Sequence, residues 1–230
     1  MATVFITGTN RGIGLEFVRQ TISRGDKVIA TCRNLEAATD LKELSAMHEN
    51  LILLEQDVGN YESLASTVEQ LGAEAIDVFI NNAGVYGTKG VQFGDVKARD
   101  WLDVLNINTV APLLLTQLLI GNLRKGKDKK LVYLTSKMGS IDDNSGGGNY
   151  VYRSSKTALN QVVRSISVDL ANEGFIAAVL HPGWVLTDMG GPNALIDATT
   201  SVSGMISVID NLQPEQSGGF YNYDGNSIPW

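Results

Sequence analysis

Short apolar runs alternate with longer helical patterns along the chain, which predicts strands separated by helices. The strand candidates are five or six residues long, rich in β-branched residues and apolar almost throughout instead of strictly alternating. Such runs are typical of parallel strands that are covered on both faces of a sheet. The predicted strands are Thr3–Thr7, Lys27–Cys32, Leu51–Glu55, Ile76–Ile80, Leu131–Thr135, Ile176–His181 and Gly219–Tyr223.

Helix-length segments lie between these strands, so the order of elements indicates βαβ units. Right-handed crossovers of this kind build a doubly wound sheet. No internal repeat interrupts the order, and the loop-like stretch 142–149 is too short to separate two domains. We therefore expect one α/β domain over residues 1–230, of Rossmann type, with about seven mostly parallel strands flanked by helices. The predicted helices are Gly14–Arg24, Ala37–Ala46, Tyr61–Leu71, Asp100–Leu123, Tyr152–Asn172 and Ser201–Leu212.

Composition and charge narrow the function mainly by exclusion. The 230 residues carry a net charge of −7, which disfavours non-specific binding to nucleic acid or to an anionic membrane. A single cysteine excludes a disulfide within the chain, and no run approaches the ~18 apolar residues of a membrane span. The two histidines lie far apart without clustered ligands, so we expect no metal site. No signal-peptide pattern opens the chain, and we expect a cytoplasmic protein.

A glycine-rich turn, TGTNRGIG at 7–14, directly follows the first predicted strand and opens the first helix. Glycines at 8, 12 and 14 allow a tight turn and a close approach of backbone to a ligand. The free N–H groups at the helix start favour a pyrophosphate. The spacing differs from the usual Gly-x-Gly-x-x-Gly fingerprint, and a purely structural turn is the alternative. Its place at the first strand–helix junction favours dinucleotide binding.

Two arginines predict which dinucleotide binds. Folds that prefer NAD tend to place an acidic residue at the end of the second strand, where this chain has Arg33. Arg11, inside the glycine turn, can approach the same place. Two guanidinium groups suit the 2′-phosphate of NADP(H), so NAD(H) is the less favoured cofactor. The alternative is that both arginines are solvated surface residues.

Tyr152 and Lys156 form a Tyr-x-x-x-Lys pair on a predicted helix, where this spacing places both side chains on one face. An ammonium near a phenol stabilises the phenolate and draws the pKa of the phenol down. A phenol tuned in this way can give a proton to a carbonyl oxygen or remove one from an alcohol. In isolation, such a pair is usually no more than two surface neighbours.

Together, these motifs resemble the short-chain dehydrogenase/reductase family. Within it, the stretches YVYRSSKTALN, HPGWVLTDMGG and YDGNSIPW resemble the carbonyl-reductase branch that includes the sniffer and bacterial C-factor proteins. The resemblance covers essentially the whole chain, and it implies an enzyme that transfers hydride between nicotinamide and a small carbonyl or alcohol substrate. The motifs, in the family's order, are the glycine turn, Asn-Asn-Ala-Gly at 81–84, Asn108, Ser136, Tyr152 with Lys156, and Pro182-Gly183 with Thr187.

The resemblance implies a role for each of four side chains. Tyr152 would be the general acid in reduction, and Lys156 would bind the nicotinamide ribose and lower the pKa of Tyr152. Ser136 would hydrogen-bond the substrate carbonyl. Asn108 would hold a water that connects Lys156 to solvent.

Two of these positions have a near neighbour of the same type. The family's asparagine lies three residues before a small residue, here Ala111, which favours Asn108 over Asn106. The family's serine is followed after three residues by a glycine, here Gly139, which favours Ser136 over Ser140.

The resemblance also implies which residues contact the cofactor. The glycine turn would hold the pyrophosphate, the segment after the third strand the adenine, the 81–84 run the adenosine ribose, and the segment after the sixth strand the nicotinamide. Fixing that ring brings its C4 within reach of the carbonyl carbon. The residues are Gly8, Asn10, Arg11, Gly12, Ile13, Arg33, Asp57, Val58, Asn81, Ala83, Gly84, Tyr152, Lys156, Pro182, Gly183, Val185 and Thr187.

These residues are compatible with two functions of different classes. The first is an NADP(H)-dependent carbonyl reductase or alcohol dehydrogenase. The second is a non-catalytic dinucleotide-binding protein that acts as a redox sensor or signalling partner, because a fold does not determine function. The intact set of Asn108, Ser136, Tyr152 and Lys156 favours the enzyme.

Apolar runs at 112–115 and 118–120 exceed one buried stripe and predict a homodimer.

Overall fold

A computed structural model describes residues Met1–Trp230 and contains one seven-stranded sheet, as predicted. Every pair of neighbouring strands is parallel. In chain order, β1 to β7 are Thr3–Thr7, Lys27–Cys32, Leu51–Glu55, Val78–Asn81, Lys130–Leu134, Ile176–His181 and Phe220–Asn222. Their order across the sheet is β3-β2-β1-β4-β5-β6-β7, so the winding direction reverses between β1 and β4. Ligands of open parallel sheets bind outside the carboxyl ends of the strands at such a reversal.

Seven α-helices flank the sheet, three main ones on each face, and their bounds differ from the predicted ones by only a few residues. Asn60 starts α3 by accepting hydrogen bonds from the backbone N–H groups of Glu62 and Ser63, at 2.9 and 3.3 Å. Asp197 starts α7 by accepting one from Thr200 N at 2.7 Å. Capping of this kind satisfies N–H groups that the helix itself leaves free. In chain order, α1 to α7 are Gly12–Ser23, Thr39–Met47, Tyr61–Leu71, Ala98–Leu105, Ala111–Lys125, Tyr150–Asp169 and Ala198–Asn211.

The apolar core lies in two layers, one on each face of the sheet. Alternate residues of each strand point to opposite layers, for example Phe5 to one and Ile6 to the other. Helices α1, α2 and α7 cover the layer of 23 buried residues, and α3, α5 and α6 cover the layer of 18. Because both faces are covered, the strands need no polar alternation, which explains their continuous apolar runs.

The helix predicted over Asp100–Leu123 is, in the structure, a longer helical stretch that a different helical turn interrupts. A π-helical turn, Asn106–Val110, separates α4 from α5 within one helical stretch, Ala98–Lys125. By length and composition alone, the stretch is apolar enough to cross a membrane, contrary to the expectation from the sequence. Its apolar side, with Leu115, Leu119 and Leu123, is buried in the core layer that α3, α5 and α6 share. Core packing therefore accounts for the apolar residues on this side of the stretch.

The fourth strand begins later than its apolar run. We predicted Ile76–Ile80, but pairing with β1 starts at Val78, opposite Val4. Ile76 N donates instead to Asn122 O at 3.2 Å, because this residue meets the end of α5 before the chain enters the sheet. The shift carries the strand to Asn81, so the Asn-Asn-Ala-Gly run begins inside the sheet.

Candidate active site

The glycine turn between β1 and α1 packs backbone against backbone. A Cβ on Gly8, whose φ is +70°, would lie 2.9 Å from Ala83 Cα, and one on Gly14 would overlap the carbonyl oxygen of Gly8. Only glycine fits either position. Helix α1 begins at Gly12 with no side-chain cap and no acidic residue in its first turn. Asn10, Arg11, Gly12 and Ile13 therefore form a helix N-terminus whose N–H groups suit an anion.

Asn82, which the sequence analysis did not single out, holds this turn in place. Its Nδ2 donates to the carbonyl oxygens of Thr7 and Gly8, at 2.8 and 2.9 Å. In return, the Thr7 hydroxyl accepts from the backbone N–H groups of Asn82 and Ala83, at 3.1 and 3.0 Å. Asn81, the last residue of β4, is buried. The doubled asparagine after a buried strand was the only signal for this role.

The end of β2 carries Arg33, which is exposed and makes no ion pair. Asp57 and Val58 follow the neighbouring β3, so the three residues share one edge of the sheet. A carboxylate that is distant in sequence also lies here. Glu55 pairs in register with Cys32 and accepts a hydrogen bond from Leu35 N at 3.1 Å. The end of β2 itself carries no acidic residue, but the neighbouring strand β3 brings the Glu55 carboxylate beside it.

Arg11 has a partner that the sequence did not indicate. Its guanidinium lies 2.5 Å from Asp188, in the segment after β6, and both side chains are exposed. In the same segment, Thr187 Cγ2 lies 3.4 Å from where a Cβ of Gly12 would be. The segment that carries Thr187 therefore lies against the glycine turn.

The start of this segment is shaped by Pro182, Gly183 and Val185. Gly183 has a φ of +84°, and a Cβ there would lie 2.7 Å from Ile196. Val185 is buried and bridges to Ile196, and Ser201 donates to Pro182 O at 2.5 Å. The structure thus brings both predicted nicotinamide and pyrophosphate segments to the carboxyl edge of the sheet.

Four polar side chains predicted to be catalytic are buried beside this edge. Tyr152 and Lys156 lie one turn apart on α6, Ser136 follows β5, and Asn108 lies in the π-helical turn. Their exposures are 8% for Tyr152, 5% for Lys156, 8% for Ser136 and 1% for Asn108. Buried polar groups need partners, and the partners of these four define the site.

Lys156 extends under Tyr152 towards the strand ends. Its Nζ donates to Leu134 O at 3.0 Å and lies 5.9 Å from the centroid of the Tyr152 ring. Burial lowers the pKa of Lys156 to about 8. A Cβ on Gly84 would be 3.2 Å from Asn108 Oδ1 and 3.4 Å from Lys156 Nζ, so Gly84 opens the space between them.

The pKa of Tyr152 is raised, opposite to the direction that the resemblance implied. The net pKa is about 12: burial is the largest cause and raises it, the nearby Ser136 hydroxyl lowers it, and the Tyr86 phenol raises it. The predicted depression by Lys156 is wrong for this arrangement, because the ammonium points to a backbone carbonyl and not to the phenol oxygen. At neutral pH the phenol therefore keeps its proton.

Asn108 is held by contacts on two sides. Its Oδ1 accepts from Val85 N at 2.9 Å, and its Nδ2 donates to Val85 O at 2.8 Å and to the Ser155 hydroxyl at 3.0 Å. Asn106 instead points away, donating to Gly59 O at 3.1 Å. Asn108 therefore joins the loop after β4 to α6 beside Lys156.

The two candidate serines are also separated in space. Ser136 faces the phenol of Tyr152 and accepts from Met138 N at 3.1 Å. Ser140 is buried and accepts from Asp143 N at 3.1 Å. Ser136, and not Ser140, thus lies at the tyrosine.

Tyr86 is a second residue that the sequence analysis missed. Its ring is stacked on that of Tyr152, with centroids 4.4 Å apart and an interplanar angle of 20°. Its hydroxyl donates to Asn149 Oδ1 at 3.0 Å. The sequence placed Tyr86 near a glycine in a loop, and nothing local indicated that the loop folds over α6.

A search of protein-family models matches residues 2–195 to the short chain dehydrogenase family. Among curated proteins, C-signal of Myxococcus xanthus is 50% identical over 155 residues, 67% of this chain and 93% of that protein. Among solved structures, the carbonyl reductase Sniffer of D. melanogaster superimposes with a TM-score of 0.94 at 35% identity, over 100% of both chains. An NADPH-bound carbonyl reductase from chicken fatty liver gives 0.93 at 33%, over 100% of this chain and 99% of that one.

Proposed function

The chain belongs to the short-chain dehydrogenase family of oxidoreductases, and on this premise we propose that it is an NADP(H)-dependent carbonyl reductase. In this proposal, Tyr152 is the general acid in reduction and the general base in alcohol oxidation. The observation that carries it is the burial of the Tyr152 phenol next to the Ser136 hydroxyl, at the sheet edge that the glycine turn also borders.

The protonation of Tyr152 suits the reducing direction. A carbonyl oxygen at this place would have two O–H donors, from the largely buried Ser136 and Tyr152. With a pKa of about 12, the phenol holds its proton until negative charge develops on the reacting oxygen. The hydroxyl of Ser136 then orients the oxygen while Tyr152 transfers the proton.

The residues at the sheet edge fit a nicotinamide dinucleotide. The close approach of Gly8 to Ala83 and the uncapped start of α1 form a cradle for a pyrophosphate. When bound, the cofactor supplies the hydride. We assign the pyrophosphate to Gly8, Asn10, Arg11, Gly12 and Ile13, the adenosine to Arg33, Asp57, Val58, Asn81, Ala83 and Gly84, and the nicotinamide with its ribose to Tyr152, Lys156, Pro182, Gly183, Val185 and Thr187.

Arg33 supports NADP(H) over NAD(H). It is the arginine at the end of β2 with no carboxylate partner, so its guanidinium is free to bind a 2′-phosphate. Glu55 lies at the same sheet edge and would repel that phosphate. Its carboxylate, however, already accepts a hydrogen bond from Leu35 N. The structure of the chicken enzyme, described as NADPH-bound, adds support from a similar protein.

The test is NADPH consumption with a panel of aldehydes and ketones, repeated with NADH. We expect reduction with NADPH and a lower efficiency with NADH. Binding of NADPH without turnover of any carbonyl or alcohol would contradict the proposal.

A second candidate, a dinucleotide-binding signalling protein, is favoured by the relative named C-signal. The reductase and the signalling protein differ in whether they need the Tyr152 phenol. A sensor needs no proton donor at the nicotinamide, so its response would survive replacement of Tyr152 by Phe, whereas reduction would not.

The domain organisation, the oligomeric state and the cellular location of the protein are also proposals. We propose a single domain over residues 1–230, a cytoplasmic enzyme and a homodimer. The dimer is supported by exposed apolar side chains along the helical stretch Ala98–Lys125, at 63% exposure for Leu102, 40% for Val110 and 41% for Leu118.

A further inference from the structure

A cavity of about 430 Å³, here called the tail cavity, lies at the carboxyl ends of β6 and β7. Its walls are mixed. Trp184, Leu195 and Ile228 provide apolar surface, and Lys137 and His181 provide polar groups. Two of its lining residues connect it to the proposed reaction centre: Lys137 follows Ser136 directly in the chain, and Gly183 is a proposed nicotinamide contact.

Lys137 is the only residue lining the tail cavity that carries a full charge at neutral pH. Its Nζ lies 3.0 Å from Asp143 Oδ1, and its side chain is 54% exposed. Asp143 does not line the cavity, so the carboxylate approaches the ammonium from outside. The ammonium has three N–H donors, which leaves two for a ligand in the cavity.

His181, the last residue of β6, adds a second donor. Its Nδ1 is enclosed and has no hydrogen-bond partner, whereas Nε2 is not enclosed and makes no bond to protein. Burial and the charge of Lys137 lower the pKa of His181 to about 4, so the ring is neutral at pH 7. A neutral ring carries one N–H, and an enclosed N–H without a partner is costlier than an enclosed lone pair. The proton therefore lies on Nε2, which can donate to a ligand.

We propose that the tail cavity binds a carboxylate on the carbonyl substrate, so that the enzyme selects aldehydes and ketones that carry an acid group. The inference rests on the proposed function and names its substrate class. The carboxylate would accept from Lys137 Nζ and His181 Nε2, while Trp184 and Leu195 cover the apolar part of the molecule. In a chain with a net charge of −7, the one cation that lines the tail cavity is a selective place for an anion.

Asp143 provides a matched control, because it competes for the same ammonium. Replacing Lys137 by Met removes the cation, whereas replacing Asp143 by Asn leaves it free for the substrate. Both variants break the same ion pair, so any effect from loosening the loop has the same sign in both. A role in binding the substrate gives opposite signs.

The measurement is kcat/KM for 4-carboxybenzaldehyde divided by kcat/KM for its neutral methyl ester. We expect Lys137→Met to lower this ratio about two- to fivefold, the effect of one partly exposed charge contact, and Asp143→Asn to raise it. An unchanged ratio in Lys137→Met, or a shift of the same sign in both variants, would overturn the inference.

A second readout is independent of turnover. Trp184 lines the tail cavity, so its fluorescence should change on titration with benzoate, and a Trp184→Phe variant identifies that signal. We expect weaker benzoate binding in Lys137→Met and tighter binding in Asp143→Asn. If neither aldehyde is reduced but these shifts occur, the proposed function fails and the site stands. If both aldehydes are reduced and benzoate binds the three proteins equally or not at all, the site fails and the function stands.

Discussion

The ring of Tyr86 lies stacked on the ring of Tyr152, with centroids 4.4 Å apart. The stack and the hydrogen bond from Tyr86 to Asn149 fix the face on which the Tyr152 phenol, the proposed proton donor, rests. Because burial already leaves Tyr152 with a raised pKa, its orientation towards the reacting oxygen decides how well it acts as an acid.

Removal of the stack should therefore slow the proton transfer. We expect Tyr86→Leu to lower kcat about tenfold by letting the Tyr152 ring rotate, with little change in NADPH affinity. Tyr86→Phe keeps the stacked ring and loses only the bond to Asn149, so its kcat should stay close to that of the wild type. Steady-state kinetics and NADPH titration check both. Equal kcat values for the Leu and Phe variants would count against a positioning role.

Replacement of Tyr152 by Phe should abolish turnover while NADPH still binds. The phenol is the proposed proton donor, and general-acid catalysis typically contributes 10²–10⁴-fold. The ring remains, so its packing against Tyr86 should survive. Lys156→Met should weaken both turnover and cofactor affinity, since Lys156 is assigned to the ribose as well. Turnover with an aromatic aldehyde, alongside NADPH fluorescence titration, separates the two. Near wild-type rates in Tyr152→Phe would place the proton donor elsewhere.

The buried Lys156 predicts how stability changes with pH. Its pKa in the folded chain is lowered to about 8, so between there and its ordinary value of 10.5 the unfolded chain binds more protons. Stability therefore rises with pH across this window. Lys156→Met removes the dependence.

The measurement is the free energy of unfolding in urea for the wild type minus that of Lys156→Met. We expect this difference to rise by up to about 3 kcal/mol between pH 7 and pH 10, from 1.4 kcal/mol per pKa unit. Other groups cancel in the subtraction. A flat difference would show that the ammonium is hydrated in the folded protein.

Arg33→Ala should reduce the preference for NADPH. Loss of one charge-assisted contact to the 2′-phosphate should cost about 1.5–3 kcal/mol with NADPH and little with NADH. Arg99, which pairs only with Asp103 on the surface of α4, provides a matched control that should change neither. Kinetics with both cofactors give the comparison. Equal efficiency of the wild-type protein with NADH and NADPH would refute the preference.

The homodimer prediction is tested by changing the exposed apolar side of α4 and α5. Leu102→Asp and Leu118→Asp place a charge on side chains that are exposed in one chain, so they should leave the fold intact and dissociate a dimer. Light scattering at micromolar concentration measures the mass. A monomer mass for the wild-type protein would end the proposal.

The sequence by itself determined the sheet, its helices and the family. Apolar runs without alternation predict strands of a parallel sheet that is covered on both faces. In β1, for example, Phe5 is buried in one core layer and Ile6 in the other. Motif order, through the resemblance to the family, predicted Ser136, Tyr152 and Lys156 as site residues, because spacing along a helix or at a strand end can be recognised in the linear chain. The structure brings the three together beside the glycine turn.

Only the tertiary structure decided what surrounds them. The stack of Tyr86, the anchoring of the glycine turn by Asn82, the partner of Arg11 and the approach of Glu55 to Cys32 all join residues from different loops and strands. Tertiary structure also decided that the pKa of Tyr152 is raised and not lowered. A Tyr-x-x-x-Lys pair shows that a cation is near, but burial acts through every atom that excludes water, and that enclosure exists only once the chain has folded.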